Sequence, residues 1–396
     1  MTQEGRSPLL APGSWLSIGL IYLYGVMTSA SLSKVIPLLG DIAAHLGATP
    51  GQFAWLIGLM TALPAVLASV AGSIIDRIGA RTALVLAAMV GVAVNLAYLL
   101  TTSLQAFMAI RVVEGLIAVG AYSAAPALIM ATAAPARRGR AMAVWSTYTP
   151  VGFSVGMVLA GSYAGSENWR GGYLIHLLLF AVLVLAGTLL PRSPAMPATA
   201  ARPAGLFSAW GQSGPLRLSL AFAALVLMGF GMSNVYPEWF SEQHTTSMAQ
   251  TTRILALANL VMIPAGFITG ALIARGWRDS RLLAGLMVGA AALSLPLFQP
   301  GMTEPVRITA ILGWMIVQGA AIAVISSALP RVVANPAQGA AAAGLLSQFA
   351  ALISFATPLI WQPILQTGHW PGFIVVVAVA SAAAWALFPR RAAAAA

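Results

Sequence analysis

The sequence contains no cysteine and very little charge. Of its 396 residues only 9 are acidic, and charged residues make up 7% of the chain. An ordinary soluble domain carries about 25% charged residues, so this chain has too few polar groups to cover a water-facing surface. The missing cysteines exclude disulfides and thiolate chemistry. A soluble enzyme, a disordered chain and a secreted disulfide scaffold are therefore excluded.

Long apolar runs dominate the chain. Hydrophobic residues account for 59% of it, and the mean hydropathy is +0.88. The runs reach the ~20 residues that a membrane-spanning helix needs, and they lack the period-two alternation of barrel strands. We therefore predict an all-α membrane protein with twelve transmembrane helices. The predicted spans are 14–38, 51–72, 80–100, 104–130, 141–164, 171–191, 216–238, 251–274, 281–298, 305–329, 339–364 and 371–389.

The basic residues indicate the orientation. The formal net charge is +11, which on a soluble chain would suggest a nucleic-acid partner. Here the arginines lie in short gaps between spans, and most of them, including Arg137, Arg138 and Arg140, share one side of the membrane. Cytoplasmic loops carry this excess. We expect both termini in the cytoplasm, a multi-pass plasma membrane location (the inner membrane of a bacterium), and no nucleic-acid partner.

The chain divides into two halves of six spans. The longest inner gap, 192–215, is rich in Pro, Ala and Gly and predicts a cytoplasmic linker between bundles at 1–191 and 216–396. A Gly-x-x-x-x-Arg element ends the second span at Gly72 and the eighth at Gly270. Repeated six-span halves are typical of transporters, with the substrate site between them at the midplane.

One loop carries a family resemblance. Between spans two and three, Gly72, Asp76, Arg77, Gly79 and Arg81 resemble the signature loop of the major facilitator superfamily, with threonine at its final basic position. The resemblance implies a gating motif that latches the cytoplasmic side. A glycine permits close helix contact, and a carboxylate is stabilised at a helix N-terminus. The alternative is a positive-inside turn with no gating role.

Two further elements extend the resemblance. Arg111-Val-Val-Glu114 in span four is similar to the family's Arg-x-x-Gln element, with Glu in place of Gln. Gly152 and Gly156, after Pro150 in span five, partly resemble the motif of drug–proton antiporters, although the glycine before the proline and the paired glycines are missing. The resemblance implies two pseudo-symmetric six-helix bundles and a secondary transporter, not an enzyme.

Three charges lie inside spans, where charges are usually functional. Arg111 and Glu114 share a helix face and can pair. Glu114 is our proton-site candidate, because a substrate or motion that changes this pairing can drive proton uptake or release; the alternative is a permanent ion pair. Lys34, the lone lysine, leaves one surplus positive charge that an anionic substrate would offset. Alternatively Lys34 extends to the outer interface, or Glu238 balances the charge.

Several polar residues are further candidates for the substrate or proton site. Tyr122 is almost in line with Arg111 on span four, and Tyr24 leads along span one towards Lys34. His176 can shuttle protons, although a lone histidine near an interface is more often structural. The second-half candidates, which either bind substrate or form hydrogen bonds between helices, include Asn234 and Gln318.

The sequence contains no phosphate loop, nucleotide motif or metal-ligand cluster, so we expect no cofactor and no metal site. Transport must then be powered by a gradient. We predict a proton-coupled secondary transporter that moves a small organic molecule, an anion by preference, through the lipid bilayer as a monomer. Proton-coupled drug or metabolite efflux is the alternative within transport. A receptor or sensor on the same fold is the alternative outside it.

Overall fold

The computed structural model describes residues 10–191, 211–332 and 339–389, and within them the chain forms fifteen α-helices and no strand. The all-α membrane fold is confirmed. The helices are α1 (Trp15–Ser33), α2 (Leu39–Leu46), α3 (Phe53–Gly58), α4 (Ala62–Ile78), α5 (Ala80–Leu100), α6 (Leu104–Thr132), α7 (Pro135–Trp145), α8 (Tyr148–Gly161), α9 (Trp169–Gly187), α10 (Ser213–His244), α11 (Met248–Ala274), α12 (Asp279–Phe298), α13 (Glu304–Val332), α14 (Gly339–Thr367) and α15 (Pro371–Leu387).

Ten helical segments in this part of the chain are long and apolar enough to cross a membrane, against twelve predicted. The predicted twelfth span falls on α15, a shorter apolar helix of 17 residues. The predicted fifth span is divided into α7 and α8, with Ser146 and Thr147 between them. Both hydroxyls bond to carbonyls of the preceding turn, which competes with helix continuation. The new helix begins just before Pro150, where proline is tolerated.

The ends of other spans also differ from prediction. The first helix stops at Ser33 rather than residue 38, because Pro37 restricts the residue before it. Residues 192–210 of the predicted linker 192–215 lie outside the described residues. Helix α10 begins at Ser213, within the predicted bounds of the linker. Sequence periodicity identifies apolar segments well but places their ends poorly.

Contacts between helix ends define two faces of the molecule. Arg217, at the start of α10, donates to the Leu387 carbonyl at the end of α15. Arg81, at the start of α5, donates to the Thr188 carbonyl after α9. We call the face where α1, α5 and α10 begin the near face. The opposite face, where α5 and α12 end, is the far face.

Each half of the chain packs mainly within itself. In the first half α1 packs on α6 and α8, while α5 packs on α6 and α9. Gly152 and Gly156 of α8 lie so close to the α1 backbone at Val26 and Ala30 that a β-carbon would overlap it, which is how glycine permits close helix contact. In the second half α10 packs on α13, α14 and α15, and α11 on α13.

Helices α11 and α14 of the second half make the main contacts with the first half. α8 contacts α11, and α14 contacts α3 and α4. The Ser154 hydroxyl of α8 donates to the Ala256 carbonyl of α11 at 2.8 Å. Trp55 of α3 packs edge-on against Phe355 of α14, with ring centroids 5.9 Å apart. At the far face the Gln366 side chain reaches the carbonyl before α3, at Pro50.

Candidate functional site

Lys34 directly follows α1 and points into the first half. Its backbone N–H continues the last turn of α1 by bonding to the Ala30 carbonyl. Its Nζ lies 2.7 Å from Glu114 Oε1 and donates to Asn95 Oδ1 at 2.7 Å. The side chain is 0% exposed. The alternative in which Lys34 extends to the interface is therefore wrong, because two acceptors hold its ammonium group inside the protein.

Arg111 and Glu114 form the pair that their spacing on α6 predicts. Arg111 Nη1 donates to Glu114 Oε2 at 2.7 Å. The rest of the guanidinium donates to carbonyls of α3, at Leu56 with 2.9 Å and at Ile57 with 3.0 Å. Both side chains are 0% exposed. The arginine thus joins α6 to the start of the second span.

Aromatic rings complete the surroundings of these charges. The Tyr98 hydroxyl of α5 donates to Glu114 Oε2 at 2.8 Å. Lys34 Nζ lies 4.7 Å from the centroid of the Tyr173 ring of α9 and 5.3 Å from that of Tyr98. Such ring faces attract cations. We call Lys34, Asn95, Tyr98, Arg111 and Glu114 the ion cluster; it ties α1, α5 and α6 together.

The ion cluster holds two cations against one carboxylate, all buried. Backbone carbonyls, an amide oxygen and ring faces share the surplus positive charge. A buried pair is strongly destabilised when one member is removed, and protonating Glu114 would leave both cations without their counter-charge. The geometry therefore favours a lasting ion pair over a titrating proton site at Glu114, whose coupling role stays a prediction.

His176 lies beside the cluster, one turn after Tyr173 on α9. It is 0% exposed, and its Nδ1 lies 2.8 Å from the Gly172 carbonyl. Its Nε2 has no hydrogen-bond partner among the described residues. The backbone contact within its own helix fits the structural role that the sequence favours.

Two predicted tyrosines lie away from the cluster. Tyr122 stands eleven residues after Arg111 on α6, about 16 Å along the helix, and its ring lies 5.1 Å from that of Tyr148. Tyr24 donates to the Leu183 carbonyl at 2.6 Å, towards the near face. Both tyrosines therefore lie at other depths than Lys34 and Arg111, because helical rise separates residues that share a helix face, and their role at a substrate site stays a prediction.

The predicted gating loop lies at the near face. Gly79 joins α4 to α5 with φ of +85°, a backbone conformation that glycine adopts without strain. Arg81 donates to carbonyls at the end of α9, and Arg77 is exposed. The surroundings of Gly72 and the side chain of Asp76 lie outside what the structure describes, so the latch contact stays a prediction.

The second half presents polar groups of a different kind. Asn234 on α10 is 2% exposed and Gln318 on α13 is 1% exposed. Neither side-chain amide has a hydrogen-bond partner in the described part of the chain. Gln362 on α14, which the sequence analysis missed, is also buried and without a partner there. The sequence did contain a signal for Gln362, because a glutamine inside a predicted apolar span is a candidate polar site.

Asn95, Tyr98 and Tyr173 were also missed, although they contact the charges directly. Asn95 and Tyr98 lie three residues apart within span three, so a polar face of that helix could have been predicted from the sequence. Nothing in the sequence alone indicated that this face meets Glu114 and Lys34, because that requires knowing how α5, α6 and α1 pack.

The family model described as Major Facilitator Superfamily matches residues 21–358. Among curated relatives, the putative niacin/nicotinamide transporter NiaP of Bacillus subtilis is 23% identical, with 69% of each chain covered. The probable multidrug resistance protein EmrY of Escherichia coli is 22% identical over 66% of this chain and 49% of its own.

The fatty acid resistance protein FarB of Neisseria gonorrhoeae is 28% identical over 41% of this chain and 31% of its own. The chain thus spans less than half the length of FarB and EmrY. Among solved structures, a bacterial homolog of the human lysosomal transporter Spinster, inward-facing and unoccupied, superposes with a TM-score of 0.75 over 97% of this chain and 98% of that one, at 14% identity.

The human organic anion transporter MFSD10 superposes with a TM-score of 0.70 over 94% of this chain and 98% of that one, at 17% identity. At these identities the structural likeness concerns the fold. The family match covers most of the chain and agrees with the all-helical architecture. The chain belongs to the Major Facilitator Superfamily.

Proposed function

We propose that this protein is a secondary active transporter that moves a small organic molecule, an anion by preference, in exchange for or together with protons. The observation that carries the proposal is the fully buried ion cluster with one surplus positive charge. Charges inside a membrane protein are costly and mark functional pathways. Membership of the family supports the assignment of a transport function.

The two halves, 1–191 and 216–396, act as two bundles that rock against each other around a central site. Support comes from the contacts between them, which lie on α8 with α11 and on α14 with α3 and α4. Contacts at the far face, such as Gln366 with Pro50, close that side. Rocking about such contacts gives alternating access. The substrate then lies against asparagines and glutamines of the second half, including Asn234 and Gln318.

An anionic substrate is supported by charge and by relatives. The ion cluster attracts negative charge towards the first half. Similar proteins carry names that mention fatty acids, niacin and organic anions, and the first two of these carry a carboxylate. A carboxylate-bearing molecule is therefore the substrate class we favour.

Drug or metabolite efflux is the second candidate. Its support is the close packing of Gly152 and Gly156 on α1, because these glycines belong to the element that resembles the drug–proton antiporter motif. Relatives described as multidrug resistance proteins agree with it. A lipophilic cation would then be moved instead of an anion.

The orientation is part of the proposal. The near face lies in the cytoplasm, and both termini with it, in a bacterial inner membrane. Because the chain has no cysteine, single cysteines report cleanly on sidedness. An impermeant thiol reagent on intact cells should label a cysteine at Glu167 and leave one at Arg138 unlabelled; the reverse pattern contradicts the orientation.

Transport itself is tested in proteoliposomes with an imposed pH gradient. Nicotinate, octanoate and ethidium represent an aromatic anion, an aliphatic anion and a lipophilic cation, and protein-free vesicles correct for leak. We expect nicotinate or octanoate to accumulate and the accumulation to collapse with a protonophore. Accumulation of ethidium alone selects drug efflux. No pH-driven movement of any of the three contradicts proton coupling.

A further inference from the structure

The second half carries a carboxyl group that the ion cluster does not involve. Glu238 lies on α10, towards the far face, and is half-buried. No described cation lies within ion-pair distance of it, and the described residues give it no hydrogen bond. From this arrangement we infer that Glu238, with Asn234 as its hydrogen-bonding neighbour, binds and releases the coupling proton, and that Glu114 does not.

The position of Glu238 on α10 directs it between the two halves. Phe230, Asn234 and Glu238 are four residues apart and share one helix face. The Phe230 ring lies 6.4 Å from the ring of Phe153 on α8, so this face meets the first half. The next face of α10 contacts α14, where the Trp361 ring lies directly against Gly231. Glu238 therefore stands between α14 and the first half rather than towards lipid.

Asn234 gives this face a second polar group. It is 2% exposed, and neither of its amide atoms has a hydrogen-bond partner in the described part of the chain. A buried polar group without a partner is costly and calls for an explanation. A protonated carboxyl one turn away can both donate to and accept from this amide. The amide thus suits the neutral form of Glu238.

The charges around Glu238 do not fix it in the ionised state. Glu242, one turn further on α10, is the charged group that acts on it, and it repels. Helices α8, α14 and α15 contain no Asp, Glu, Lys or Arg within their bounds. Other charged or titratable groups lie near the far end of α10 and on the neighbouring helices α11 and α13. Arg253 and Glu304 are exposed. The Arg307 side chain donates to the Gln299 carbonyl, the Tyr236 hydroxyl donates to the Arg307 carbonyl, and His244 packs against Phe240.

The contrast with Glu114 decides between the two carboxyl groups. Lys34 and Arg111 each lie 2.7 Å from Glu114, so gaining a proton there breaks two ion pairs. Gaining a proton at Glu238 breaks none and relieves its repulsion with Glu242. A carboxyl that must cycle between charged and neutral forms in each turnover is better placed at Glu238. The proton arrives from one face and leaves to the other as the halves rock.

The inference rests on the proposed proton-coupled transport and is tested with the same three probes. Glu238→Gln, Glu304→Gln and wild-type protein are compared for pH-driven accumulation and for counterflow without a gradient. We expect Glu238→Gln to lose accumulation, falling to equilibration, while counterflow continues. Glu304→Gln, the control at an exposed carboxyl at the start of α13, keeps both, and Glu238→Asp, which keeps a carboxyl, retains accumulation.

The two ways of failing are distinguishable. If wild-type protein accumulates a probe and Glu238→Gln accumulates it equally, the inference is overturned and proton-coupled transport stands. If wild-type protein shows counterflow but no pH-driven accumulation, proton coupling itself fails and Glu238 has no proton to carry. If Glu238→Gln does not fold, as judged by size-exclusion chromatography, Glu238→Asp decides, since its loss of accumulation while folded and active in counterflow would contradict a simple proton carrier.

Discussion

Two buried asparagines, one in each half of the molecule, differ in their hydrogen bonds. In the first half Asn95 donates to the Gly91 carbonyl and accepts from Lys34, and each charge of the ion cluster has a partner. In the second half Asn234 and Gln318 are equally buried but have no partner among the described residues. Satisfied networks stabilise and specify a fold, whereas unsatisfied groups cost stability. We infer that the ion cluster stabilises the first half, whereas Asn234 and Gln318 are buried groups that a ligand or proton can engage.

Arg111→Ala should produce the largest effect. It removes the guanidinium that pairs with Glu114 and donates to Leu56 and Ile57. Breaking a buried pair by removing one partner costs about 3–5 kcal/mol. The melting temperature in detergent should fall sharply, whereas Arg253→Ala, at an exposed position on α11, should not lower it. Equal melting temperatures for the two variants would show that the ion cluster does not hold the first half together.

A double-mutant cycle on Lys34 and Glu114 should show strong coupling. Glu114→Gln leaves two buried cations without their carboxylate, and Lys34→Met leaves only the pair of Arg111 with Glu114. In the double variant the loss of the carboxylate breaks one ion pair instead of two. Residues in one ion-pair network show interaction energies of about 0.5–3 kcal/mol. We therefore expect the double variant to be more stable than the sum of the single losses predicts. Additive losses, measured by denaturant or thermal unfolding, would contradict the pairing.

Matched asparagine variants compare the halves directly. Asn95→Leu leaves Lys34 without one acceptor and should cost about 1–3 kcal/mol. Asn234→Leu removes an amide that has no partner among the described residues, so stability should stay equal or rise while pH-driven transport falls. Thermal unfolding and the proteoliposome assay measure both quantities. A greater loss of stability for Asn234→Leu than for Asn95→Leu would contradict the inference that Asn95 stabilises the fold and Asn234 does not.

Asp76→Asn should have the smallest effect on stability and a visible effect on rate. In the latch that the family resemblance implies, the Asp76 carboxylate faces a helix N-terminus, and such a contact contributes about 0.3–2 kcal/mol. The variant should therefore fold while the proposed latch weakens. We expect slower turnover in counterflow with little change in half-saturating probe concentration. Glu167→Gln, at an exposed position beyond α8, serves as control. Wild-type turnover in Asp76→Asn would mean that the loop is only a turn.

Residue spacing predicted the fold class and part of the site. The Arg111–Glu114 pair followed from helical periodicity, since residues three apart share a face. The contact between Lys34 and Glu114 could not be predicted, because it depends on how α1 packs against α6. For the same reason the depths of Tyr24 and Tyr122 relative to the ion cluster could not be predicted. Depth and helix neighbours are tertiary properties that periodicity does not encode.

The break between α7 and α8 shows a second limit. The apolar run 141–164 reads as one span, yet the hydroxyls of Ser146 and Thr147 bond to carbonyls of the preceding turn and the helix restarts before Pro150. Local hydrogen bonds override a hydropathy pattern when proline follows closely. The signal was present in the sequence, but hydropathy over a window of span length averages it away.

The charge states of Glu114 and Glu238 can be measured directly by infrared spectroscopy. Difference spectra of purified protein between acidic and alkaline pH report carboxyl groups that lose a proton. We predict that the protonated-carboxyl band of wild-type protein contains a component that is absent in Glu238→Gln and present in Glu114→Gln. A component that is absent in a folded Glu114→Gln variant and present in Glu238→Gln would place the titrating proton in the ion cluster and contradict the roles assigned to the two carboxyl groups.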